Sequence, residues 1–319
     1  MSAAIIPFEG TGAALAPFVE SVTRYARASR AESTLGGYRS DWADFQRFCR
    51  QNWLESLPAA PATVAAYLSA CADGSKLKAG SIQRRVSAIS AFHQVHDCTS
   101  PTSSAEVKLT LAGIRRTLGV FQQGKAPVLT ADIAAMVANL PEKLIGVRDR
   151  ALLLVGFAGA FRRSELVALN VEDIEFREDG LKVTIRRSKT DQEGARQCIG
   201  IAHGSKLCPV RALQELLAAA QITTGPIFRH VDRHGRILDR MSPEAVAIVV
   251  KRYAAAAGLD PAKYAGHSLR AGLVTQAAMN GVQELAIMKQ TRHKSADMLR
   301  RYVRDASLFR DNASARVGL

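Results

Sequence analysis

The chain is poor in the residues that staple a fold covalently. Its five cysteines, Cys49, Cys71, Cys98, Cys198 and Cys208, are odd in number, widely spaced and free of any C-x-x-C pair. That pattern supports neither a disulfide framework nor a zinc site, and the thiols read as buried, unpaired residues. His230 and His234 stand among Arg229, Arg233, Gly235 and Arg236 with no third ligand close in sequence, so no metal is called for. Long apolar runs are missing too. The most hydrophobic segment, Ala151 to Phe161, falls well short of the ~20 residues that a membrane-spanning helix requires. Met1 to Pro17 carries no basic residue ahead of its apolar stretch and is interrupted by Pro7, Glu9 and Gly10, so no signal peptide is read and the protein is expected to stay inside the cell. No internal repeat occurs, which removes the solenoid architectures.

Negative charge is also scarce. Against 43 Lys and Arg the chain sets 29 Asp and Glu, a formal net charge of +14. A surplus of this size usually meets a polyanion, either nucleic acid or an acidic membrane face, although a merely basic surface would look the same. The rest is ordinary for a globular protein: 47% apolar, 23% charged. A length of 319 residues suits two domains better than one.

The first third reads as helices with apolar residues at three-to-four spacing, roughly Leu15 to Ala28, Ser33 to Gln51, Pro61 to Ala72, Ser81 to His96 and Ser104 to Leu118. Ser33 and Thr34 precede a stripe of Leu35, Tyr38, Trp42, Phe45 and Phe48 and are expected to cap it. Gly119 to Pro127 has no periodicity and ends in proline, which marks a linker. The expected boundaries are a helical domain over 1–121, a linker over 122–128 and a second domain over 129–319. The second domain opens with a helix capped at Leu129 and Thr130, followed by a long apolar helix from about Gly146 to Ala160. Leu181 to Arg187 and Arg196 to Ala202 alternate as strands do and predict an antiparallel hairpin. From Pro209 helices are expected to dominate. The fold class is thus mainly α, with a small antiparallel β-sheet in the second domain.

Four pieces of that domain carry basic or nucleophilic groups. Ala160 to Leu166 places Arg162 at the polar end of an apolar helix, with Glu165 three residues on. A buried arginine needs such a partner, and its planar fork suits two phosphate oxygens, yet R-x-x-E is also a common surface pair. Lys189 lies at the turn of the predicted hairpin, where a lysine reaches a neighbouring cleft or simply stays solvated. His267 and Arg270 share a helix face one turn apart. Arg292-His293-Lys294 precedes Arg300-Arg301-Tyr302 in an H-x8-Y spacing. A lone tyrosine near a C-terminus is normally a packing residue; the conjunction of the four pieces is what changes its reading.

R-x-x-E-L, a hairpin lysine, H-x-L-R and H-x8-Y in this order resemble the tyrosine recombinase, or phage integrase, family. The likeness extends over nearly the whole chain, because Thr34 to Phe48 and Ser81 to His93 resemble that family's core-binding domain, in a two-domain layout similar to the Cre-like and Xer-like members. It departs at one position. The family often has glycine before the residue that matches His293, whereas Arg292 stands here, which leaves the local turn open. The resemblance implies a core-binding and a catalytic domain forming a C-shaped clamp on DNA, and a set of roles. Arg162 and Arg270 would clamp the scissile phosphate, with a further hydrogen bond from His293, and Glu165 would brace the site. Tyr302 would attack phosphorus to give a 3′-phosphotyrosyl bond, with Lys189 as general acid to the leaving 5′-oxygen and His267 assisting proton transfer. It implies no metal, ATP or other cofactor.

For double-stranded DNA, Arg39, Gln83, Arg84 and Arg85 are the major-groove candidates of the first domain, with Lys76 and Lys78 on the backbone. Arg236, Arg240 and Lys251 flank a helix predicted near Ser242 in the second. Each could equally be a solvated surface charge. Leu308, Phe309, Ala313 and Val317 recur at helical spacing beyond Tyr302, and in the family such a tail packs on a neighbouring protomer, which implies a homotetramer on two sites and a Holliday junction intermediate. The implied setting is the cytoplasm, on bacterial or phage DNA. A type IB topoisomerase-like enzyme and a catalytically idle DNA-binding regulator on the same fold are the rival readings.

Overall fold

In a computed structural model, which describes residues 16–74, 77–120, 124–186, 197–293 and 295, the chain divides into two compact units, Met1–Gln123 and Gly124–Leu319. Lys76, Lys189, Tyr302 and the tail from Leu308 to Val317 lie outside the described residues. Among the described residues no helix is long and apolar enough to cross a membrane.

The first unit is helical: α1 (Val19–Ala28), α2 (Glu32–Gln51), α3 (Pro61–Asp73), α4 (Ala79–Val95) and α5 (Ala105–Leu118). The stripe read from the sequence is the buried face of α2, where Leu35, Trp42, Phe45 and Cys49 are all enclosed. The cap is different. α2 starts at Glu32 after Ala31, so Ser33 and Thr34 occupy its first turn and no side chain caps it. Ser104 does cap α5, accepting from the Val107 amide at 3.3 Å. The core centres on Trp42 stacked against Phe92 of α4, ring centroids 4.5 Å apart. Each ring withdraws enough apolar surface from water to stabilise the unit by about 2–3 kcal/mol. His93 is fully buried and satisfied: its Nδ1 hydrogen-bonds the Ile89 carbonyl at 2.8 Å, and its Nε2 accepts from the Ala59 amide at 2.9 Å.

The second unit is built around α7 (Leu144–Ala158), which follows α6 (Thr130–Ala138). Ala151 to Val155 are buried without a break, as an all-round apolar helix requires. The short α8 (Arg163–Ala168) leads into a three-stranded antiparallel sheet of β1 (Ile174–Arg177), β2 (Gly180–Ile185) and β3 (Gln197–Ala202), in that spatial order. The predicted pair is β2 and β3; β1 is an addition. α9 (Pro209–Ala219) packs along α7. After α9 helices dominate as expected, joined by a short second hairpin, β4 (Arg229–Val231) with β5 (Ile237–Arg240), that was not foreseen. α10 (Pro243–Ala256) begins where predicted, capped by the Ser242 hydroxyl, and α11 (Ser268–Met279) and α12 (Glu284–Thr291) follow. α12 is seated on α11 through Val274, Ala278 and Ile287. The reading of the thiols as buried holds for Cys49, Cys71 and Cys208 but not for Cys198, which β3 turns outward.

Candidate active site

The apolar helix α7 stops at Ala158, and the chain reverses through Gly159 and Ala160 before α8. A Cβ on Gly159 would lie 2.1 Å from the Phe161 ring, so the turn admits no side chain there. Ala160 is fully buried at φ +46°, a left-handed backbone that alanine adopts only when its surroundings dictate it. The turn directs two adjacent carbonyls toward incoming guanidiniums. Arg162 follows as the cap of α8, and Glu165 accepts from the Arg162 amide at 3.0 Å and from its Nη1 at 2.5 Å. Glu165 is 3% exposed, so this carboxylate is held by pairing rather than by water.

α11 brings the second arginine. Arg270 is 2% exposed and donates from Nη1 to the Ala160 carbonyl at 2.7 Å. The start of that helix is anchored at Ser268, whose carbonyl accepts from the Val128 amide at 3.0 Å. His267, at its N-cap, keeps an edge open to solvent. Partial burial and the charges of Arg270 and Arg162 hold its imidazole below the ordinary histidine range. It is therefore neutral near pH 7 and able to take a proton.

His293 arrives from the end of α12. Burial, Arg270, Arg162, His267 and Arg292 together push its imidazole down to about 4. The Thr291 hydroxyl lies 2.7 Å from the Ile287 carbonyl and 2.7 Å from Nδ1 of His293. A hydroxyl that donates to a carbonyl has only lone pairs left, so it accepts from Nδ1–H and leaves Nε2 bare in the neutral ring. Donation from Nε2 to a phosphate oxygen thus requires a proton, which an arriving anion would itself favour.

Sequence reasoning marked Arg292 only as a departure from glycine and gave it no role. Its αL backbone at the α12 C-cap, φ +58° and ψ +39°, is the conformation that glycine commonly supplies there. Its side chain, 5% exposed, donates from Nη2 to Glu165 at 2.9 Å and to the Ala160 carbonyl at 3.1 Å. Nη1 reaches the carbonyls of Gly159 at 3.2 Å and Gln290 at 3.1 Å, and the guanidinium carbon stands 5.4 Å from the Phe161 ring centroid. Burial pulls this guanidinium below its ordinary range and Glu165 opposes the shift. The signal in the sequence was the arginine at a glycine position. Glu165 thus serves both Arg162 and Arg292, and Arg270 joins the cluster through the Ala160 carbonyl that it shares with Arg292.

Arg162, Glu165, His267, Arg270 and His293 are therefore brought together from three separated segments. The candidate groove residues are placed less uniformly. Arg84 is fixed by both oxygens of buried Asp41, at 2.7 and 3.0 Å, and Arg85 bonds Asp44 and the Tyr67 hydroxyl with its side chain 14% exposed. Arg39 pairs with Glu32. Lys78 and Gln83 are exposed and line one pocket with Arg115. In the second unit Arg240 holds the carbonyl of Val167 at 2.6 Å and the side-chain oxygen of Asn170 at 2.7 Å, while Arg236 and Lys251 are exposed.

Comparison with known proteins identifies the family to which these segments belong. Residues 128–308 match the Phage integrase family, and residues 23–96 match the Phage integrase, N-terminal SAM-like domain. An integrase/recombinase XerD homologue of Selenomonas ruminantium is 41% identical over 302 residues, 92% of this chain and 88% of that protein. A tyrosine recombinase XerC of Thermodesulfovibrio yellowstonii is 23% identical over 87% of this chain and 88% of its own length. Among solved structures, the Tn1549 transposon integrase in complex with circular intermediate DNA shares the fold at a TM-score of 0.61 and 15% identity, covering 93% of this chain and 96% of that one. A lambda integrase dimer bound to a COC′ core site does so at 0.59 and 18%, covering 95% and 84%. By its catalytic segment, its N-terminal segment and its full-length relative, the chain belongs to the phage integrase family of tyrosine recombinases.

Proposed function

We propose that this chain is a site-specific DNA recombinase that cuts and rejoins strands through a covalent bond between Tyr302 and a 3′-phosphate. The observation that carries the reading is the proximity of Arg162, paired with buried Glu165, to Arg270, His267 and His293. A phosphodiester resists attack because its anionic oxygens repel nucleophiles, so a catalyst must hold positive charge where negative charge builds. Arg162 and Arg270 supply it. Protonated His293 adds a hydrogen bond, and neutral His267 takes the phenolic proton as Tyr302 attacks. The 5′-oxygen leaves with a proton from Lys189. Because the bond energy is kept in the phosphotyrosyl ester, rejoining needs neither water nor ATP.

Duplex DNA is the partner, with contacts contributed by each unit through Lys76, Lys78, Gln83, Arg236 and Lys251. Two sites are joined in a homotetramer through the segment from Leu308 to Val317, and exchange passes through a Holliday junction in the cytoplasm. The test is incubation of the full chain with duplexes selected for binding from a randomised pool. A protease-sensitive, protein-tagged strand is expected, lost in Tyr302→Phe while DNA binding persists. An equally abundant adduct in that variant would remove Tyr302 from the mechanism.

A further inference from the structure

We propose that Arg292 is a positioning residue, a latch that fastens the turn bearing His293 to the Arg162–Glu165 pair and so sets the geometry of the phosphate site. The proposal deepens, and rests on, the recombinase reading.

A residue that served DNA directly would offer its charge to the open cleft. Arg292 does the opposite: its side chain is 5% exposed and both terminal nitrogens are engaged within the protein. Its partners belong to different segments. Glu165 stands in the first turn of α8, Gly159 and Ala160 form the turn after α7, and Gln290 closes α12. The Ala160 carbonyl is shared with Nη1 of Arg270, so α11 is tied to the same point. Gln290 reinforces the attachment from the neighbouring turn, donating to the carbonyls of Ala158 at 2.9 Å and Gly200 at 3.0 Å.

The backbone at 292 points the same way. Glycine takes a left-handed turn without steric cost, whereas a side chain there carries some strain, which the contacts of Arg292 offset. The planar fork meets a carboxylate and three carbonyls at once, which a single ammonium cannot match. Removing it would free the His293 turn at one end and leave Glu165 to Arg162 alone at the other. Both changes misplace groups that touch the phosphate without touching it themselves.

The test compares Arg292→Gly, which accepts the turn but deletes the latch, with Arg292→Lys, which keeps the charge but loses the fork. Covalent adduct formation on the selected duplex is followed at saturating DNA, alongside thermal unfolding and the imidazole nitrogen resonances of His293. Arg292→Gly is expected to fold and to bind DNA nearly as the parent does, yet to form adduct slower by on the order of 100-fold. Its His293 resonances should show mixed tautomers in place of the Nδ1–H form. Arg292→Lys should recover part of the rate. Adduct at the parental rate in Arg292→Gly, or an unchanged His293 spectrum, overturns the latch. A lysine variant no faster than the glycine variant overturns it as well. If the parent chain forms no adduct, the recombinase reading falls first; if the parent does and Arg292→Gly matches it, only the latch falls.

Discussion

The first unit and the candidate site of the second use arginine in different ways. In the first, the basic side chains of α2 and α4 are matched to nearby acids: Arg84 to Asp41, Arg85 to Asp44, Arg39 to Glu32 and Arg47 to Asp44. At the candidate site of the second, two guanidiniums, Arg162 and Arg292, share the carboxylate of Glu165, and Arg270 is tied to the same turn through the Ala160 carbonyl. Charge that is already balanced offers little to an arriving phosphate, whereas guanidiniums clustered where water is partly excluded offer a great deal. The comparison teaches that a net charge of +14 does not say which cations are available; local pairing does.

The largest expected effect lies at the carboxylate. Glu165→Ala leaves Arg162 and Arg292 unpaired beneath the surface and should cost about 3–5 kcal/mol of stability in denaturant unfolding. Its adduct formation should also collapse, and an unchanged unfolding midpoint would break the claim that this acid organises the cluster. A middle effect is expected in the first unit. Asp44→Ala removes the partner of Arg85 and of the Tyr67 hydroxyl and should cost about 1–3 kcal/mol. It should at the same time leave Arg85 with only Asp41 and the Tyr67 hydroxyl to balance it, and tighten non-specific DNA binding at low salt; weaker binding in a folded variant would contradict this.

pH offers a third probe. His293 titrates near 4 in the folded chain against an ordinary value of 6.5. Between those values the unfolded chain takes up a proton that the folded one refuses, so stability is full above about 6.5 and declines as pH falls toward 4. His293→Asn should flatten that decline. DNA binding at pH 6 should take up protons, measurable as a dependence of binding heat on buffer ionisation enthalpy, because a phosphate favours the imidazolium. The smallest effect belongs to the exposed cations. Arg236→Ala should leave stability within about 0.5 kcal/mol and lower the salt dependence of DNA binding by about one counterion.

How much of this was legible depended on whether the signal was local. The apolar helices α2 and α7 and the R-x-x-E-L and H-x-L-R motifs are short-range patterns: the apolar faces are buried and Arg162 meets Glu165 as read, while His267 stands at the N-cap of α11 instead of sharing its face with Arg270. β1 was not legible because Ile174–Arg177 is short and mostly exposed, so it lacks the alternation that marks a strand. β4 and β5 are equally short, with an irregular register between Arg229 and Val231. The pairing of Arg84 and Arg85 with Asp41 and Asp44 joins two helices, which no periodicity within either could reveal. Arg292 was noticed only as a departure from glycine. The backbone keeps the left-handed turn that glycine would give, and the side chain gains a second task.

The account turns on positive charge neutralising the scissile phosphate, and Arg162→Ala on a methylphosphonate substrate tests this directly. On an ordinary phosphodiester the variant should form adduct slower by about 100- to 1,000-fold. On a duplex whose scissile position carries a neutral methylphosphonate, most of that loss should vanish, since the charge that Arg162 offsets has been removed. An equal deficit on both substrates would contradict the account.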